Sequence, residues 1–229
     1  MSGPNPVALI LGSGPNVGKH VAQTFAAKGY KVALSSRKAN SSENTSDQFH
    51  FQADLSDPES VSGVYSKVTE ELGTPSVVVY NAAVATRSED PKDPFAVPHA
   101  DFTRDLNVNT ISAYAAAQQA ILGFEKLPES ASKTFIYTGN FLNTTILSPF
   151  MTLGVGKSAS AHFIQYAAAT YADRGFKFYY ADERMADGSP AYHGVDGEAH
   201  AKLYDELVES KSQRPWLQTF VKGVGYKTF

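Results

Sequence analysis

The chain has 229 residues, a formal net charge of −3 and no cysteine. That length is enough to bury a substantial core in one domain spanning residues 1–229. The charge gives no pull toward nucleic acid or an acidic membrane, the absent thiols exclude disulfide scaffolds, thiol catalysis and cysteine-ligated metals, and no apolar run reaches membrane-spanning length.

The opening MSGPNP has no basic stretch followed by an apolar run, so it does not read as a secretory signal, and a cytoplasmic location is expected. Residues 7–11 form a short apolar run ending at glycine, which predicts a buried strand. Val17, Val21, Ala22 and Phe25 share one face of a helix over 17–28, closed by Gly29. Residues 31–36 and 49–53 predict the next two strands, with a polar loop between them. Asp57 as N-cap and Pro58 at the first helical position predict a helix to about Leu72. Residues 76–80 hold three consecutive valines, as in a strand covered on both faces.

Pro91, Pro94 and Pro98 mark 84–100 as a loop, after which Asp101 is expected to cap one long helix to Phe124. A strand over 133–138, a helix over 153–174 closed by Gly175, and a strand over 176–181 follow. The Gly-, Pro- and Asp-rich stretch 184–197 reads as a mobile loop, with 184–212 the region that would meet a substrate. A last helix over 198–210 and an irregular tail complete the chain. Strands separated by helices predict an α/β fold, a Rossmann-type doubly wound parallel sheet in three layers.

The first strand runs into Gly12-Ser13-Gly14-Pro15-Asn16-Val17-Gly18. Glycines there let backbone approach a pyrophosphate, and the amides opening the next helix attract its charge. A plain tight turn would use glycine too; the place between first strand and helix favours the nucleotide. Sites for NAD set an acidic residue after the second strand, to accept from the ribose 2′-hydroxyl. This chain has Ser35-Ser36-Arg37-Lys38 instead. Arg37 could bind a 2′-phosphate through paired hydrogen bonds, so NADP (NADPH) is favoured over NAD.

The spacing of the turn resembles that of the short-chain dehydrogenase/reductase superfamily. Gly12 and Gly18 match the outer glycines of its motif. Asn16 stands where the middle glycine is usual; as the non-glycine residue most tolerant of positive φ, it is expected to keep the turn, helped by Gly14. Asp54-Leu55 looks like the family's adenine-side pair, and Asn81-Ala82-Ala83 like the segment lining the adenosine side. Asn109 and Lys157 match the Asn and Lys of the catalytic tetrad.

The resemblance breaks at the proton donor. The tyrosine position, four residues before Lys157, is Leu153, which moves no proton. The serine position falls at Gly139 or Asn140, of which Asn140 could donate a hydrogen bond to a carbonyl. Ala181-Asp182-Glu183-Arg184 replaces the usual proline-glycine pair, and the family's final strand is not recognisable. Tyr80, Tyr114, Tyr137, Thr138, Asp182, Glu183 and His193 are conceivable substitute donors, each with an ordinary core or surface role as the alternative. The histidines show no metal-ligand spacing, so no metal is expected.

The resemblance implies an atypical NADP(H)-dependent oxidoreductase acting on a small-molecule carbonyl or related group. The alternative is a redeployed member of the fold: a lyase, isomerase, cyclase or nucleotide-binding regulator. Alanine-rich stretches at 113–120 and 167–172 lie on the two helices through which the family pairs its subunits, so a homodimer or homotetramer is expected.

Overall fold

The computed structural model describes residues 5–90 and 92–229, so the first four residues and Pro91 lie outside the described residues. Strands β1 (Val7–Leu11), β2 (Lys31–Ser36), β3 (Gln48–Gln52), β4 (Pro75–Tyr80), β5 (Thr134–Thr138), β6 (Lys177–Arg184), β7 (Leu217–Val221) and β8 (Gly225–Tyr226) form one sheet in the order β3-β2-β1-β4-β5-β6-β7-β8. Every neighbouring pair is parallel except the last, β7 with β8. The order reverses between β1 and β4, which opens a crevice at their C-terminal ends.

Alternation along the strands divides the core in two. Leu9, Leu11, Val78, Tyr80, Phe135 and Tyr137 face helices α2 (Ser60–Glu71), α4 (Ser112–Phe124) and α5 (Met151–Tyr171). Ala8, Ile10, Val77, Val79 and Ile136 face α1 (Val17–Ala27) and α6 (Gly197–Glu209). Each large aliphatic side chain so buried stabilises the fold by about 1.5–3 kcal/mol. Between β2 and β3 a single 3-10 turn, Ser41–Glu43, stands in place of a full helix. No helix of the described residues is long and apolar enough to cross a membrane.

Several sequence expectations need correction. Asp57 does not cap α2: its carboxylate accepts from the Glu59 amide at 3.1 Å and its carbonyl from the Ser60 amide, which uses the segment up in a turn. The long helix expected from Asp101 begins at His99, as α3 (His99–Leu106), with Asp101 inside its first turn and paired with Arg104. A π-helical turn, Asn107–Ile111, then separates α3 from α4. Strand β6 runs three residues past its expected end, so Asp182, Glu183 and Arg184 are strand residues and not loop. The tail is not irregular: β7 pairs with β6 from Tyr180↔Leu217 to Arg184↔Val221 and turns back as β8. Within 184–212, α6 is scaffold: Ala201, Leu203, Tyr204 and Leu207 are buried against the α1 face of the sheet.

Candidate functional site

The glycine turn takes its shape from one position. Gly12 lies at φ +96, and a Cβ there would come within 2.5 Å of the Ala82 amide nitrogen, so only glycine fits between β1 and the segment after β4. Asn81 fastens the two together, its amide donating to Leu11 O and its Nδ2 to Gly12 O, both at 2.8 Å. Asn16 does not carry positive φ; its φ is −98. Its carboxamide instead holds the chain entering α6, donating to Val195 O at 2.8 Å and accepting from the Gly197 amide at 2.9 Å. The amides of Asn16, Val17 and Gly18 have no acceptor among the described residues, and Gly14 faces open space. These are the free donors that a helix start offers an anion.

Two cavities meet at this turn. One, of about 490 Å³, is lined by Gly12, Ser36, Arg37, Asp54, Leu55 and Ala82 among others. The next, of about 300 Å³, is lined by residues including Val17, Asn81, Ala83, Asn140, Leu153 and Lys157. Asn81 and Ala83 border both. The Arg37 side chain is exposed and has no ion-pair partner among the described residues. Hydrogen bonds from the Ser56 amide and hydroxyl hold the Asp54 carboxyl below its ordinary range, and the nearby charge of Arg37 adds to this.

Beneath the second cavity lies a polar knot that the sequence hid. Tyr80, Tyr137 and Tyr180 stand in register on β4, β5 and β6, with stacked rings 5.7 and 5.5 Å apart. Their hydroxyls donate to the carbonyls of Val108, Asn109 and Asn140. The Asn109 carbonyl, in the π turn, also accepts from Ser160 Oγ at 2.7 Å. The Asn109 carboxamide pairs with both backbone groups of Val84. Asn109 therefore acts structurally on two sides, through its side chain on the loop and through its backbone on β5 and α5.

Lys157 is 2% exposed. Its Nζ donates to Thr138 O at 2.8 Å and Tyr137 Oη at 3.2 Å, 4.4 Å from the centre of the Tyr137 ring. Burial pulls its pKa down to about 7 against the opposing charge of Asp182. Leu153, one turn earlier on α5, presents hydrocarbon to the same cavity. A Cβ on Gly139 would lie 2.0 Å from the Tyr180 ring, so that ring occupies the place of a side chain. Asn140 spends its Oδ1 on the Leu142 amide, which leaves its NH₂ to donate.

Among the conceivable donors, Asp182, Glu183 and Thr138 line the cavity. His193 is exposed, and Tyr114 lies half-exposed on the outer side of α4. Burial lifts both Asp182 and Glu183 above the ordinary carboxyl range. His200 lines the cavity without having been singled out from sequence; burial drives it down to about 4. Its Nδ1 lies 3.4 Å from Glu183, and we read this as a contact of a neutral imidazole, because desolvation disfavours charge on both partners. Asp105, fully buried, was also missed. It accepts from the Thr86 amide, Thr152 Oγ1 and Arg104, tying α3 to the start of α5.

Residues 13–181 match a family model described as Enoyl-(Acyl carrier protein) reductase. A Cryptosporiopsis sp. (strain 8999) protein, short chain dehydrogenase/reductase dmxR12, is 50% identical, covering 98% of this chain and 95% of the relative. A short-chain dehydrogenase/reductase of Armillaria gallica is 26% identical, covering 88% of this chain and 74% of the relative. Among solved structures, the 3-ketoacyl-(acyl-carrier-protein) reductase of Brucella melitensis complexed with NADH superposes with a TM-score of 0.78 at 16% identity, over 94% of this chain and 96% of that one. A metagenomic short-chain oxidoreductase in complex with NADP gives a TM-score of 0.78 at 14% identity, over 95% and 97%. These last two likenesses are of fold.

Proposed function

The chain belongs to the short-chain dehydrogenase/reductase superfamily, and from that premise we propose that it is an NADP(H)-dependent oxidoreductase acting on a small carbonyl compound with an apolar body. The observation that carries the cofactor reading is the pair of adjoining cavities that share Asn81 and Ala83, one reaching from Arg37 to Gly12 and Gly14 and the other from Val17 to Lys157, beside the free amides that open the first helix. It suits a dinucleotide in size and in the order of its groups. Solved relatives by fold hold NADP or NADH, which supports a nicotinamide cofactor in general. The preference for NADP rests on Arg37 and on the lack of a carboxylate at the end of β2.

In this reading Arg37 and Ser36 take the 2′-phosphate, Asp54 and Leu55 border the adenine, and Asn81, Ala82 and Ala83 line the adenosine side. The bound cofactor supplies a hydride to the substrate carbon. In its protonated form Lys157 has two of its three donors satisfied within the protein and keeps one for the nicotinamide ribose. Asn140 donates its free NH₂ to the substrate oxygen. Phe141, Leu147, Phe150 and Leu153 give the cavity its apolar wall and exclude water from the reacting groups. Leu153 favours a second reading, a non-redox lyase, isomerase, cyclase or regulator that keeps the nucleotide without net turnover.

Titration with NADPH and NADH, followed through Trp216 fluorescence, tests the assignment. Trp216 packs edge-on against Tyr180, whose hydroxyl holds Asn140. NADPH is expected to bind more tightly, and Arg37→Ala to lose about 10- to 100-fold in NADPH affinity, since a hydrogen bond to a charged group is worth about 1.5–3 kcal/mol. An Arg37→Ala protein with undiminished preference for NADPH refutes the phosphate contact. Tight binding with no carbonyl-dependent oxidation of NADPH across a ketone panel favours the second reading.

A further inference from the structure

Asp182 is 1% exposed and lines the cavity that also holds Lys157, Asn140 and Leu153. It follows Ala181, which belongs to the α1 and α6 side of the core, so alternation puts Asp182 on the same side of the sheet as Tyr180 and α5. Glu183 falls on the opposite side, near His200. The Arg184 guanidinium grips one oxygen of Asp182, with Nε and Nη2 each 2.6 Å from Oδ2. Arg184 is itself fixed by Gly188 O at 3.0 Å. The other oxygen, Oδ1, is buried and has no hydrogen-bond partner among the described residues. A buried carboxyl oxygen without a donor is costly, and such atoms are rare unless a ligand or water completes them.

We infer that Asp182, through Oδ1, exchanges the proton with the substrate oxygen, the task that the hydrocarbon of Leu153 cannot perform. This rests on the oxidoreductase reading above. In reduction, the carbonyl carbon gains a hydride from the reduced nicotinamide and the π pair of the C=O bond moves onto oxygen. The O–H bond of the Asp182 carboxyl breaks, and its proton forms the new O–H bond of the alcohol. The carboxylate left behind is held by Arg184 and by the positive form of Lys157, and solvent returns one proton to it. In oxidation the same atom accepts the alcohol proton. Burial keeps the carboxyl above its usual range despite both cations, which brings the protonated form within reach nearer neutrality.

The probe is the aryl ketone tetralone and its alcohol, tetralol. Protein carrying isotope-labelled aspartate carboxyls is titrated by NMR without nucleotide. One carboxyl is expected to titrate above the ordinary aspartate range, to shift when tetralol binds, and to vanish in Asp182→Glu, which keeps a charge partner for Arg184. With tetralone and NADPH, Asp182→Asn is expected to lower kcat by about 10²–10⁴-fold and to remove one limb of the pH profile, with Asp182→Glu recovering part of the rate. The thermal shift given by NADPH is expected to stay unchanged in both variants. Should Asp182→Asn fail to fold, the wild-type carboxyl signal and Asp182→Glu decide. An Asp182→Asn enzyme with wild-type kcat and pH profile, or a carboxyl signal indifferent to tetralol, overturns the assignment and leaves the nucleotide reading standing. Loss of the NADPH thermal shift in the wild type itself would overturn that reading instead.

Discussion

Lys157 pays for its position in protonation. In the unfolded chain it titrates near the ordinary lysine value of 10.5, and in the fold burial brings it to about 7. Between those two pH values the unfolded chain holds a proton that the folded chain lacks, so stability rises with pH across the interval. Below about pH 7 both states are protonated and the full penalty, up to about 5 kcal/mol, applies. Lys157→Met is therefore expected to gain most over the wild type at about pH 6.5 and least at about pH 10, as read from urea midpoints. The hydrogen bonds lost to Thr138 and Tyr137 give an offset independent of pH. A constant gap between the two proteins across that range would show an ordinary lysine. At this scale the sequence was legible where chemistry and spacing coincide. Gly12, Arg37 and Lys157 all reach the cleft, and Leu153 stands one turn from Lys157 in the same cavity. It was illegible where a side chain serves a distant backbone group: nothing near Asn16 in sequence announces Val195 and Gly197, and nothing near Asp105 announces Thr152.

Strand β6 sets much of the site, because three consecutive residues take three separate tasks. Tyr180 fills the space above Gly139, Ala181 packs on the far side, and Asp182 reaches the cavity. Restoring a serine at position 139 therefore meets the Tyr180 ring and not an empty slot. Gly139→Ser is expected to cost at least about 1–3 kcal/mol of stability, as overpacked cores do. Adding Tyr180→Ala should make the pair far less than additive, a coupling that a double-mutant cycle by denaturant unfolding measures. Additive costs would mean that the ring moves aside freely. The strands with runs of β-branched residues were readable because their burial is continuous. The tail strand β7 was not: Leu217, Thr219 and Val221 alternate over only five residues, after a proline and before a glycine-rich turn. The π turn was hidden for another reason. One extra residue in one helical turn hardly disturbs the 3.6-residue period on either side, yet it places the Asn109 carbonyl under Tyr137 and Ser160.

Seen whole, the molecule leaves one apolar face uncovered. On α4 and α5, Tyr114, Leu122 and Tyr166 are exposed, Tyr166 by 71%, around a groove of about 550 Å³. The expected homodimer or homotetramer would bury this face. Light scattering is expected to give a mass above the monomer, and Leu122→Lys with Tyr166→Lys to return it to the monomer with secondary structure intact; a monomeric wild type would refute the expectation. The alternation of strand and helix pointed to the three-layer architecture, because a parallel, doubly wound sheet buries many short apolar strands on both faces. The exposed face lies in alanine-rich helices that pack equally well against their own sheet, so sequence alone could not say which side was free.

The carboxamide of Asn16 grips Val195 and Gly197 while the amides beside it stay unengaged. Under the proposed function, engineering the 195–197 strap to admit a different compound is therefore expected to change how the first helix receives the cofactor's diphosphate. By thermodynamic reciprocity, whatever one ligand gains from that shared peg the other must gain equally. Changes made at that peg are then expected to move both affinities together, whereas changes at Arg37 or Asp182, which do not touch it, are not.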